Sequence, residues 1–179
     1  MLSDKIRECA TIDRADSYND EPERNALRTF LKTCPEFQQF WRNYFGTPAN
    51  TKIEDDPLGK CKVDLGLMDA TYFKIYGLIE VDVFHSWELG YPANYRYFHV
   101  LERKLKYFMK SDYNPHGGYP YITCTFNKYH NQMCATTKEN IVRVLKKDGV
   151  KEIWMPKIQE HDRVVRCPLD ENIFWFGIE

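Results

Sequence analysis

Glu80 and Asp82 stand two residues apart in the run GLIEVDVF. In a strand, positions i and i+2 project to one face, their side chains about 6–7 Å apart at the base. Ile79, Val81 and Val83 then point the other way, toward a core. Two carboxylates side by side on an apolar strand repel, and each raises the other's pKa. A hard divalent cation between them removes that penalty and accepts oxygen ligands readily. Asp64 lies sixteen residues before Glu80, in CKVDLGLMDA, where a hairpin would lay it alongside. Asp64, Glu80 and Asp82, with backbone carbonyls and waters, make a candidate site for Mg²⁺ or Mn²⁺ with open positions. The alternative is the solvated face of an amphipathic strand.

Charge is distributed unevenly around this strand. The whole chain carries 25 basic and 26 acidic residues, a net charge of −1 that makes no bulk case for a polyanion partner. Residues 64–88 set Asp64, Asp69, Glu80, Asp82 and Glu88 against Lys74 alone. Residues 96–110 set Arg96, Arg103, Lys104, Lys106 and Lys110 against Glu102, and residues 138–157 hold six bases and three acids. An acidic cluster followed by basic segments suits a metal site that meets a polyanion; chance variation along a solvated surface is the competing reading.

The elements that must position these residues follow from periodicity. At 179 residues the chain predicts one domain, over 22–179, behind an N-terminal arm over 1–21. Leu27, Phe30, Leu31, Phe37, Phe40, Trp41, Tyr44 and Phe45 recur at helical spacing, and Pro35 divides them into helices over 22–33 and 35–45. Residues 46–60 read as loop. CKVDLGLMDA predicts a strand, TYFKIYGLIEVDVF one strand or a tight pair, and RYFHVLERKLKYFMK a strand passing into a helix near Glu102. YPYITCTFNK, KEIWMPK and NIFWFGI read as strands; QMCATTKENIVRVLKK reads as a strand with a helix or as two strands. The order predicts an α/β fold with a single mixed sheet flanked by helices.

That order, with Asp64, then Glu80-Val-Asp82, then a basic segment, resembles the PD-(D/E)XK nuclease superfamily over roughly residues 24–130. The phage-type, Holliday-junction-resolvase and RecB-like branches are the nearest. The resemblance implies a restriction-endonuclease-like fold and a Mg²⁺-dependent nuclease hydrolysing DNA phosphodiester bonds. It also implies metal ligation by Asp64, Glu80 and Asp82. The family's motif lysine falls on Asp82 here; the resemblance allows an acidic or other polar residue at that position, or a lysine supplied from the following helix. Lys104, from the following helix, is the natural candidate to orient or deprotonate water. A second register makes Tyr97–Lys104 the third strand and Glu102-Arg103-Lys104 the motif itself, with Asp82 as the first aspartate. Asp69 and Glu102 are further acidic candidates. Arg96, Arg103, Lys106 and Lys110 would contact flanking phosphates, giving affinity and salt dependence without reading sequence. A homodimer is a further implication of the resemblance.

Other chemistries find less support. No GxGxxG, GxxxxGK[ST] or Gx[ST]xG pattern is present, which disfavours nucleotide-dependent kinases and serine hydrolases. Cys9, Cys34, Cys61, Cys124, Cys134 and Cys167 form no CxxC pair, so a zinc ribbon is unsupported. No apolar run reaches the roughly 18 residues of a membrane helix, and MLSDKIRECATIDRAD holds no apolar block. A cytoplasmic chain, or one in a host-cell interior if viral, is expected, with reduced thiols and no membrane partner. Two rivals to a nuclease stand: a non-catalytic nucleic-acid-binding or viral structural module on the same fold, and an enzyme with a cysteine nucleophile, marked by an exposed, low-pKa thiol beside a histidine.

Overall fold

Pro35 sets the first corner of the chain. The residue before a proline is driven out of the helical region, and Cys34 is extended at φ −85°, ψ 106°. One helix therefore ends at Thr33 and the next begins at Pro35: α1 (Glu21–Thr33) and α2 (Pro35–Phe45). Gly46, left-handed at φ 63°, closes α2 by donating its N–H to the Arg42 carbonyl. The structure is a computed structural model that describes residues 21–59, 63–69, 71–72, 74–90, 96–109, 118–155 and 159–178. Of the expected arm over 1–21, residues 1–20 lie outside them and Glu21 opens α1; Lys110, Cys9 and Cys61 also lie outside.

Nine strands and two further helices follow among the described residues: β1 (Lys52–Asp55), β2 (Leu65–Met68), β3 (Ile75–Phe84), β4 (Tyr97–Leu101), α3 (Glu102–Phe108), β5 (Tyr121–Asn127), β6 (Gln132–Thr137), α4 (Lys138–Asp148), β7 (Lys151–Met155), β8 (Glu160–Pro168) and β9 (Phe174–Gly177). They build two sheets. The larger is mixed, in the order β1-β2-β3-β5-β6-β9, and only its β3–β5 pairing is parallel. The smaller is antiparallel, in the order β4-β8-β7. The α/β class is as expected, but the single sheet is not. The strand expected from RYFHVL joins β8 instead of the main sheet.

Alternation along β3 divides the core in two. Ile79 and Val81 face α1 and α2, where Leu27, Phe30, Phe37, Trp41 and Phe45 pack on them and on Ile122, Cys124 and Phe126 of β5. Leu78 faces the other way, into a second cluster with Tyr121, with Phe98, Val100, Val165 and Cys167 of the small sheet, and with Ile141, Val144 and Leu145 of α4. Helices, large sheet, and small sheet with α4 thus form three layers. Glu80 and Asp82 share the Leu78 side, the side that receives α3.

Two strands escaped the sequence reading for a physical reason. β1 lies in the expected loop over 46–60; it is a four-residue edge strand, KIED, exposed at both ends, and charged edges are how sheets avoid further pairing. β8 runs EHDRVVRCP, with its first half exposed and its second half buried, so no single alternation spans it. No helix among the described residues is long and apolar enough to cross a membrane.

Candidate active site

Register brings the carboxylates together. β2 and β3 pair antiparallel with Leu65 opposite Ile79. One step further along that register, Asp64 faces Glu80. Asp64 is held there by its own side chain: Oδ2 accepts the Val81 backbone N–H at 2.8 Å. On the other flank of β3 the parallel register sets Glu80 beside Thr123, and β5 in turn sets Thr123 beside Thr136. A polar row therefore crosses the middle of an otherwise apolar sheet. Thr123 and Thr136 are buried, and Thr136 Oγ1 accepts from Asn140 Nδ2 at 2.7 Å.

The lysine comes from outside the sheet. β4 ends at Leu101 and the chain turns directly into α3, which carries Lys104. Lys104 Nζ lies 2.6 Å from Glu80 Oε1, with side chains 14% and 16% exposed. Glu80 Oε2 is buried and has no hydrogen-bond partner among the described residues. Enclosure pushes the Glu80 carboxyl above the usual carboxylate range; Lys104 and the Asp64 backbone amide pull it down, and the charge of Asp82 adds to the rise. Tyr121, 1% exposed, lies in the same field. Burial raises its phenol far above the ordinary value, the charges of Glu80 and Asp64 raise it further, and a hydrogen bond with Thr123 works against them. It therefore stays a proton donor at any ordinary pH.

The other expected residues divide. Asp82 is exposed, on the Glu80 side of β3, and its Oδ1 accepts the Val83 N–H at 2.8 Å. Asp69 belongs to a turn at the far end of β3, where Oδ1 accepts the N–H of Thr71 at 2.7 Å and of Tyr72 at 2.9 Å. Glu102 takes the Arg163 guanidinium, and Arg103 pairs with Asp162. Lys106 is exposed, its ammonium 5.0 Å from the Tyr107 ring centroid. Arg96 is exposed, and its carbonyl accepts the Leu169 N–H. The second register is overturned: Tyr97–Leu101 pairs with β8, and Glu102-Arg103-Lys104 opens a helix.

Sequence reasoning missed Tyr121 and Thr123. A signal existed, because Tyr121, Thr123, Thr125 and Asn127 alternate with Ile122, Cys124 and Phe126. Polar groups at every second position of a strand buried throughout mark a face with hydrogen-bonding work to do. Asn127 does its work in the β5–β6 turn, donating to Asn131 Oδ1 and accepting two backbone N–H groups. Of the aromatic residues that follow β3, Trp87 is buried, with its indole donating to the Gly90 carbonyl, while Tyr91 and Tyr95 lie outside the described residues. The described cysteines, Cys34, Cys124, Cys134 and Cys167, are all buried. Burial pushes their thiols up, Cys167 to about 12, the opposite of what a nucleophile needs.

Among the described residues no group of three or more His, Cys, Asp or Glu side chains could hold a metal ion, so the three-carboxylate cage is not assembled there. The narrower set of Asp64 and Glu80 does fit a hard dication. Two adjacent carboxylates, one with an orphaned buried oxygen, suit a cation such as Mg²⁺ that keeps several waters and takes only one or two protein carboxylates. The chain matches no family model, no curated protein and no solved structure.

Proposed function

We propose that the protein is a Mg²⁺-dependent nuclease that hydrolyses DNA phosphodiester bonds on a restriction-endonuclease-like core. One observation carries the reading: Lys104 Nζ at 2.6 Å from Glu80 Oε1, on the strand whose neighbour presents Asp64. An acid just before β2, an acid on β3 and a lysine paired with the latter are the parts such chemistry requires. The lysine comes from a helix because Asp82 occupies its usual strand position.

Asp64 and Glu80 would hold the cation, with Mn²⁺ able to substitute. Bound there, it supplies a water of lowered pKa and neutralises charge on the scissile phosphate. The chain's own groups do the rest. Lys104 places an ammonium where it orients the attacking water or donates to the charge developing on the phosphate. Enclosure strengthens each of these interactions, because the local dielectric is low. Arg96, Lys106 and Lys110 are the basic residues assigned to flanking phosphates. Arg103 is not among them, since its guanidinium is committed to Asp162.

The test is cleavage of single-stranded, duplex and branched DNA with Mg²⁺ or with chelator, by the native chain and by Glu80→Gln. Metal-dependent cleavage that Glu80→Gln loses is the expected result. A native chain that binds DNA, cuts none of the three, and binds equally well as Glu80→Gln would replace this reading with the non-catalytic module.

A further inference from the structure

Three consecutive residues of α3 are each tied down. Lys104 reaches Glu80. Glu102 takes Arg163 in a two-point pair, with Nε to Oε2 at 2.7 Å and a terminal nitrogen to Oε1 at 3.1 Å. Arg103 pairs with Asp162. Both partners of the first two residues of α3 are therefore neighbours on β8.

We infer that Asp162 and Arg163 of β8 are positioning residues that fix Lys104 on Glu80. α3 needs such help. It has seven residues and no side-chain cap at its first turn, and a helix that short is unstable by itself. Leu101, the last residue of β4, is paired with Val164, so α3 leaves the small sheet beside the stretch Asp162-Arg163. That stretch pairs on its other side with β7, Asp162 with Ile153 and Arg163 with Glu152. Val164 and Val165 are fully buried immediately after it, and Asp162 Oδ1 also accepts the Arg163 N–H at 2.8 Å. Of the two ties, Arg103–Asp162 is the more enclosed, at 23% and 19% exposed, whereas Arg163 is 63% exposed. Coulomb attraction is screened less in the enclosed pair, so Asp162 carries more of the positioning. The small sheet, which no expectation included, is thereby the frame for the lysine that β3 lacks.

This deepens the nuclease reading and rests on it for its kinetic arm alone. The second arm needs no activity: the coupling between Lys104 and Glu80 in a double-mutant cycle, from urea denaturation of the native chain, Lys104→Met, Glu80→Gln and the double variant, run with and without Asp162→Asn. Of the groups at Glu80, only Lys104 hangs from α3. In the Asp162→Asn background the coupling should fall to less than half its native size, because the ammonium is held less closely, and Asp162→Glu should restore it. The catalytic rate constant kcat should fall on the order of tenfold to a hundredfold in Asp162→Asn, with KM little changed, as small misplacements of reacting groups do. Should Asp162→Asn fail to fold, Arg163→Met at the exposed tie is read the same way, with a smaller loss. A Lys104–Glu80 coupling that stays native in folded Asp162→Asn overturns the inference. A native chain without cleavage activity but with the weakened coupling would sink the nuclease reading and leave the positioning role standing.

Discussion

Glu80 and Lys104 make a nearly enclosed ion pair on a face shared with Asp64 and Asp82 and lined elsewhere by apolar and threonine side chains. Desolvation of two charges is costly, and removing one partner alone strands the other. Lys104→Met is therefore expected to lower the unfolding free energy by about 3 kcal/mol, whereas Glu80→Leu with Lys104→Met should come within about 1 kcal/mol of native or exceed it. Urea denaturation of the four members of that cycle decides. Burial of Glu80 also sets a pH signature, against the opposing pull of Lys104. Because Glu80 titrates above its ordinary value of 4.5, the folded state binds its proton more tightly than the unfolded chain does. This residue's contribution to stability is thus greatest below 4.5 and declines as pH rises from there through the raised folded value. Glu80→Gln should remove that slope, as seen in melting temperatures across the acid range. Much of this site was legible in the sequence. Strand alternation placed Glu80 and Asp82 on one face, the hairpin supplied Asp64, and the family resemblance pointed to Lys104 within the basic run. The alternation along Tyr121–Asn127 marked a polar face, but not that it lies beside Glu80, because they meet through a parallel register that local spacing cannot encode.

At the scale of elements, close approach of α2 to the sheet depends on a missing side chain. A Cβ on Gly77 of β3 would lie 2.3 Å from the Phe45 ring. The ring has little room to retreat, since Phe45 is 7% exposed. Gly77→Val is expected to destabilise by about 1–3 kcal/mol through overpacking, and a paired Phe45→Ala should recover part of the loss. Thermal unfolding of the single and double variants checks this. The two helices were plain in the sequence, because their Phe and Trp positions repeat at helical period over long stretches and Pro35 divides them. β1 and β8 were not plain. One is a short charged edge, and the other changes environment halfway along, so neither gives a continuous alternation.

The candidate site draws its acids and its lysine from different layers. Asp64 and Glu80 belong to the large sheet, while Lys104 and Lys106 arrive on a helix framed by the small one. DNA held by this face is expected to bind mainly through phosphates. Lys106→Ala should then weaken binding by a similar factor on unrelated sequences and lessen the slope of log K against log salt by roughly one; fluorescence anisotropy over a salt series measures both. The same arrangement explains why the fold was read only in part. The α/β order survives in the one-dimensional pattern, but whether a strand extends an existing sheet or starts another depends on partners far away in the chain. β4 and β8 find each other across more than sixty residues, Tyr97 pairing with Pro168.

Under the proposed function, a lysine from α3 serves a carboxylate on β3 in cleaving phosphodiesters. Single-turnover cleavage of DNA with Mg²⁺, comparing the native chain with Lys104→Met at saturating enzyme, tests it most directly. The expected result is a rate constant lower by about 10²–10⁴-fold in the variant, the usual worth of a proton-transferring or charge-stabilising group. DNA binding should stay within a few-fold of native. A Lys104→Met chain that cuts as fast as the native one would contradict the account.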